Sequence, residues 1–215
     1  MKRNAPITAL FLDIGGVLLT DGWDHHARKR AAEHFNLGWA DLEERHSLTF
    51  DIFEAGKLTL KEYLNRVVFH QKRAFTRDQF RRFMFAQSKP CPQMMALVRN
   101  LKAKYALKIA VVSNEARELN DYRIRKFKLA GFVDFFISSC YVHVSKPDTD
   151  MFRLALDISQ APIRQIVYID NTAMFVQIAE GMGIRSILHL DYRTTCAKLA
   201  ALRLQNDEGA IHETR

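Results

Sequence analysis

Cysteine is scarce in this chain, and long apolar runs are missing from it. The three cysteines, Cys91, Cys140 and Cys196, stand far apart without C-x-x-C spacing, which argues against a disulfide framework and a cysteine-built zinc site. Such usage fits a reducing, cytoplasmic setting. No stretch approaches the roughly 18 apolar residues that a membrane span requires. Met1-Lys2-Arg3 followed by apolar residues has the outline of a secretion signal, but Asp13 interrupts the run and no small-residue cleavage site follows. Internal repeats and low-complexity segments are also missing. The expectation is a soluble protein with no membrane partner. Its 215 residues suffice for one large domain, or for a main domain with a smaller appendage.

The formal net charge is +8, which favours an anionic partner. The basic residues are dispersed, in short clusters at Arg28-Lys29-Arg30, Arg81-Arg82 and 123–128, and no nucleic-acid-binding module accompanies them. By charge alone the anionic partner is left open between a phosphorylated metabolite and a membrane surface, and nucleic acid is not expected. Nothing in the sequence sets an oligomeric state.

The chain is organised around residues 9–24, where apolar residues lead into Asp13, then Gly15-Gly16, then a second apolar run. This reads as a buried strand that delivers a carboxylate to its carboxyl end, where open parallel sheets place their chemistry. Gly15 and Gly16 allow a tight backbone path whose N–H groups can approach an anion. From Asp21-Gly22 to Lys89 the pattern is helical, with helices expected at 24–35, 39–55, 59 onward from the capping box Thr59-x-x-Glu62, and 76–87. The aromatics of this insert, Phe50, Phe53, Phe69, Phe75 and Phe85, are expected in its own core.

Beyond Pro90 helix and strand alternate. Helices are expected at 92–104, 116–129, 148–158, 172–182 and 192–204, and strands at 107–112, 132–137, 166–169 and 185–190. The polar tail from Asn206 is expected to fray. The fold class is α/β, a Rossmann-like three-layer core with a parallel sheet (1–20 and 90–215) plus an inserted four-helix cap (21–89).

Three strand ends and one helix start then offer Asp13, Ser113-Asn114, Lys146-Pro147 and Asp170-Asn171. Taken singly, Ser113-Asn114 also reads as a helix cap, Lys146 as a surface lysine, and Asp170-Asn171 as the cap of the following helix. Taken together the set fits phosphoryl transfer to an aspartate. Asp13 attacks phosphorus, Ser113 and Lys146 hold the phosphoryl oxygens, and Asp170 with Asp13 binds a hard cation.

The segments L-D-I-G-G-V, V-S-N, S-K-P-D and Y-I-D-N, with a helical insert between the first two, resemble the haloacid dehalogenase superfamily over roughly residues 7–192. The likeness is to its phosphatase branch with a helical cap of the first type, including sugar-phosphate phosphatases. It implies Mg²⁺-dependent hydrolysis of a small phosphorylated metabolite through an aspartyl-phosphate on Asp13. It also implies Asn114, Gly15 and Gly16 as substrate-binding positions, and Asp13, Gly15 (through its carbonyl), Asp170 and Asn171 as metal-binding ones. Three positions depart from the pattern. Gly15 stands where most such phosphatases carry a second Asp as acid and base, and Asn171 and Phe175 stand where acids or an amide are frequent. Those departures leave a metal-independent 2-haloacid dehalogenase and a catalytically silent phosphate-binding relative as alternatives. The insert is expected to move as a unit about hinges near 20–22 and 89–91, and to supply positive charge, since residues 22–89 hold 13 Lys and Arg against 9 Asp and Glu.

Overall fold

In a computed structural model, which describes residues 5–206, five parallel strands form one sheet in the order β3-β2-β1-β4-β5. The strands are β1 (Ala9–Leu12), β2 (Lys108–Ser113), β3 (Phe135–Ser138), β4 (Ile166–Asp170) and β5 (Arg185–Leu188). β1 lies at the centre, paired with β2 on one side (Leu12 opposite Val111) and β4 on the other (Leu12 opposite Ile169). All four β1 residues are fully buried, as a strand covered on both faces must be, and this explains the uninterrupted apolar run. The register brings Asp13, Ser113 and Asp170 to one end of the sheet.

Two apolar clusters sandwich the sheet. Leu10 and Leu12 face one, with Val98 and Leu101 of helix α5 (Pro92–Tyr105). Ala9 and Phe11 face the other, with Phe152 and Ala155 of α8 (Asp150–Ser159) and Ala179 of α9 (Ala173–Gly181). The sequence-predicted strand at 132–137 begins later than expected. The N–H groups of Phe132 and Val133 are bonded to Leu129 O (3.1 and 3.0 Å), so both residues close off a 3₁₀ turn (Leu129–Gly131) that follows α6 (Arg117–Lys126) instead of pairing in the sheet. The last strand stops at Leu188, leaving Leu190 70% exposed. The last helix, α10 (Tyr192–Ala201), is shorter than predicted, and the tail from residue 207 lies outside the described residues. A short helix, α7 (Ser139–Val142), was not anticipated.

Between β1 and β2, ahead of α5, stand α1 (His25–His34), α2 (Trp39–Glu54), α3 (Leu60–Val67) and α4 (Arg77–Ala86). Their starts follow the capping signals: Asp24 accepts from Ala27 N, and Thr59 and Thr76 both form full capping boxes. Their core is aromatic. Phe53 stacks on Tyr63 at 4.1 Å and Trp23 meets Phe80 edge-on at 5.7 Å. A polar chain runs through it, because Trp23 Nε1 donates to Tyr63 Oη (2.9 Å) and that hydroxyl lies 2.8 Å from His46 Nδ1. Since indole only donates, the tyrosine proton is free to go to Nδ1 and His46 stays neutral. Burial, then the nearby Arg28, lower its pKa to about 4.

The bundle is stitched to the sheet unit at two places. Where the chain enters and leaves, Thr20 N donates to Lys89 O (2.9 Å) and Cys91 N to Leu18 O (2.9 Å). The buried Arg123 of α6 ties both crossings, donating to Thr20 O (2.7 Å), Ser88 Oγ (3.0 Å) and Glu115. At the foot of α2, Ser139 Oγ donates to Glu54 O (2.8 Å) and His143 Nδ1 lies 2.8 Å from Ala55 O. Gly56 sits there with φ +69°, and a Cβ would fall 2.3 Å from Cys140 O, so only glycine allows this approach to α7. Among the described residues no helix is long and apolar enough to cross a membrane.

Candidate active site

Beyond the carboxyl end of β1 the chain turns tightly, with Leu18 N and Leu19 N both bonded to Ile14 O (3.0 and 2.9 Å). Gly16 adopts φ +66°, and a Cβ on it would lie 2.0 Å from Asn171 Nδ2 and 2.9 Å from Asp21 Oδ1. The turn therefore exposes the edge of Asp13 to a cleft of about 430 Å³ beneath the helical bundle.

Lys146 is no surface lysine; it is 3% exposed. Its ammonium bridges Asp13 Oδ1 (3.1 Å) and Asp170 Oδ2 (2.6 Å) and donates to Tyr168 Oη (3.1 Å). Burial works against this charge, but Asp13 and Asp170 outweigh it and hold the pKa above the ordinary lysine value. Burial also pushes the Asp13 carboxyl up, and Lys146 pulls it back. The residue that places Lys146 is Asn114, whose amide donates to Lys146 O (2.9 Å) and accepts from Lys146 N (2.8 Å). Pro147 does not open a helix; it lies in a turn, with Asp148 N bonded to Ser145 O (2.9 Å), and α8 begins at Asp150.

Asp170, expected as a metal-binding residue, lies at the end of β4 beside Lys146. It is fully buried, one oxygen taking Thr172 N (2.7 Å) and the other taking Lys146 and the Tyr168 hydroxyl. The Ala173–Gly181 helix is capped by Thr172 rather than by Asp170, whose carboxylate instead holds the Thr172 N–H and Lys146. Ser113 is 1% exposed, its Oγ facing Ile14 N (3.4 Å) beside the Asp13 carboxyl. Asn171 and Gly15 line the cleft.

Two acidic residues that sequence reasoning passed over complete the surroundings. Asp21 Oδ1 accepts from Asn171 Nδ2 (3.2 Å) and lies 3.3 Å from where a Cβ of residue 15 would stand. Glu54, at the foot of α2, lines the cleft with Asp13, Asn114 and Lys146, next to Glu115. Neither had a local signal, since Asp21 reads as a turn residue and Glu54 as the polar face of a helix.

The expectation of a positively charged bundle wall is overturned. Among the described residues lining the cleft, the lysines and arginines are Lys146 and Arg28, against Asp13, Asp21, Asp24, Glu43, Asp51, Glu54 and Glu115. Arg28 is 7% exposed and spent on a bidentate pair with Glu43 (2.9 and 2.7 Å) and on Trp23 O (2.9 Å). Lys29 is exposed and Arg30 binds Gln87 Oε1 (3.1 and 3.0 Å), both away from this cleft. The aromatic expectation divides. Phe53 is core and edges the cleft, Phe50 lies at the cleft outside the core cluster, and Phe69, Phe75 and Phe85 pack against that cluster.

Structures of the same architecture are known. The chain is 19% identical to a HAD-like hydrolase from Porphyromonas gingivalis, with a TM-score of 0.74 over 91% of this chain and 98% of that one. It is 18% identical to a HAD family enzyme from Bacteroides thetaiotaomicron crystallised with magnesium and inorganic phosphate (TM-score 0.71, 84% and 93% covered). It is 17% identical to an L-2-haloacid dehalogenase from Xanthobacter autotrophicus (TM-score 0.60, 91% and 83% covered). Among curated proteins it is 32% identical over 66 residues to bifunctional epoxide hydrolase 2 of Sus scrofa, and 26% identical over 186 residues to a drimenol cyclase of Aspergillus calidoustus. Those matches cover 31% and 85% of this chain but only 12% and 34% of the relatives, so the chain spans about a third or less of their length. The sequence profile of the haloacid dehalogenase-like hydrolases matches residues 7–183, and the chain, with Asp13 at the end of the central strand and Lys146 bridging it to Asp170, belongs to that family.

Proposed function

We propose that the protein is a Mg²⁺-dependent phosphatase acting on a small phosphorylated metabolite through an aspartyl-phosphate on Asp13. The observation that carries this reading is the polar cradle beside Asp13. The Gly15-Gly16 backbone, Asp21 and Asn171 converge so closely there that a Cβ on Gly16 would collide with both side chains. Among the described residues no three His, Cys, Asp or Glu side chains are grouped to hold a metal. The residues that would hold a cation there are Asp13 and Asp21 through their carboxylates, Asn171 through its amide oxygen and Gly15 through its carbonyl. This suits Mg²⁺, a hard cation that takes one or two carboxylates and completes its shell with phosphate and water. Asp21 brings the charge that position 171 lacks. When bound, the cation neutralises charge on the phosphoryl group.

The chain's own groups do the rest. Asp13 attacks phosphorus, and Lys146, held by Asn114, steadies the phosphoryl oxygens while keeping Asp13 oriented. The single charge of Lys146 is already shared by two carboxylates, so a phosphate dianion needs further positive charge at the site. The magnesium and phosphate held by the Bacteroides thetaiotaomicron enzyme support the same reading. The dehalogenase alternative rests on Gly15 and on the Xanthobacter autotrophicus likeness. It is disfavoured because a haloacid carboxylate would meet no unpaired lysine or arginine among the described cleft residues.

A panel of phosphomonoesters assayed with Mg²⁺ and with excess chelator tests this reading. Turnover should require the cation, and Asp13→Asn should reduce it to background while the thermal melt stays cooperative. Full activity in chelator, or more than a few per cent of wild-type turnover in the variant, would overturn the assignment.

A further inference from the structure

Resting on that phosphatase reading, we infer that Glu54 of the helical bundle is the general acid and base of the reaction, the catalytic residue that takes the place of the carboxylate absent at Gly15. In the first step an Asp13 oxygen bonds to phosphorus and the bond from phosphorus to the ester oxygen breaks. The departing oxygen keeps the electron pair and takes the proton of Glu54. In the second step the Glu54 carboxylate removes a proton from water as its oxygen bonds to phosphorus. The bond from phosphorus to Asp13 breaks, the pair returns to Asp13, and inorganic phosphate leaves with Glu54 protonated again.

Location, anchoring and surroundings support the role. Glu54 shares the cleft with Asp13, Lys146 and Asn114, the residue that positions Lys146. Its backbone is fixed to the sheet unit, because Ser139 Oγ donates to Glu54 O (2.8 Å) and accepts from Glu115 N (2.9 Å). With Gly56 wedged against Cys140, the last turn of α2 has little freedom, and an acid must be held this way to meet a developing charge.

The other cleft carboxylates are engaged elsewhere. Asp21 faces Asn171, Asp24 caps α1, Glu43 holds Arg28 and Glu115 holds Arg123, while Asp51 is exposed. The charged groups around Glu54 are Glu115, Lys146 and Asp13. Burial and then the like charge of Glu115 move the Glu54 pKa to about 8, so a proton is present at neutral pH.

The test compares wild type with Glu54→Gln at saturating Mg²⁺ on 4-nitrophenyl phosphate and on glycerol 2-phosphate. Nitrophenolate leaves without a proton and an alkoxide does not. The variant should therefore lose on the order of 10²- to 10⁴-fold in kcat/KM on the alkyl ester and only a few-fold on the aryl ester. Glu54→Asp, which keeps the acid but draws it back, should fall between the two and serves if the glutamine variant does not fold. Equal losses on both esters, or none, would overturn the role of Glu54 and leave the phosphatase reading standing. Failure of the wild type on both esters would remove that reading and the role with it.

Discussion

On the floor of the cleft two buried carboxylates, Asp13 and Asp170, share the Lys146 ammonium. Against the bundle wall two more, Glu54 and Glu115, lie close enough for like charge to act, and of the two it is Glu115 that bonds Arg123. On the floor a cation sits between the acids, and the arrangement favours its charge strongly enough to hold Lys146 above the ordinary lysine pKa despite burial. At the wall burial prevails: reinforced by the like charge of Glu115 it moves Glu54 up to about 8, and against the pull of Arg123 it moves Glu115 up to about 7. Burial is thus overcome by opposite charge at Lys146 and reinforced by like charge at Glu54, so one group keeps its charge and the other its proton. On the proposed mechanism that division gives one cleft both a nucleophile and an acid.

Removing the shared cation breaks the comparison most severely. Lys146→Met should abolish turnover and destabilise the fold by about 3–5 kcal/mol, since two buried carboxylates would be left uncompensated. Parallel denaturant melts and activity assays would show both losses; an unchanged melt would mean that Asp13 and Asp170 find other partners.

A medium effect should appear in the pH dependence of stability. A carboxyl whose folded pKa lies near 8, against an ordinary 4.5, binds more protons folded than unfolded within that window. Its contribution to stability is therefore fully present below 4.5 and is lost as pH rises to about 8. Glu54→Gln should remove that loss, so the variant should be more stable than wild type at pH 8.5 by a margin that shrinks toward pH 5. Melts showing a constant difference across that range would place Glu54 in water.

The smallest effect is expected from the basic cluster that the sequence singled out. Lys29 and Arg30 lie away from the cleft, so replacing both with Ala should leave kcat/KM within about twofold at any salt concentration. A large, salt-dependent fall would restore the idea that the bundle captures an anion by charge.

How much was legible follows from range. Helix starts were read correctly at Asp24, Thr59 and Thr76, because a cap is a contract between residues three apart. The ends of β1, β2 and β4 were visible as apolar runs halted by Asp13, Ser113 and Asp170, since a strand buried on both faces tolerates few polar residues. The shift of the third strand was hidden, because Phe132 and Val133 are as apolar in a turn as in a sheet and only their hydrogen bonds to Leu129 distinguish the two. Likewise Arg28 looked like substrate-capturing charge until Glu43 was found beside it.

By itself, then, the sequence determined the α/β architecture, the place of the helical insert and the strand ends that gather the reactive groups, because periodicity and capping act over a few residues. Which charges meet was decided only in the folded chain. Lys146 reaches Asp13 across 133 positions, Asn171 reaches Asp21 across 150, and Ser139 holds the foot of the Glu54 helix across 85. Electrostatic partnership depends on distance in space, and no local pattern records it.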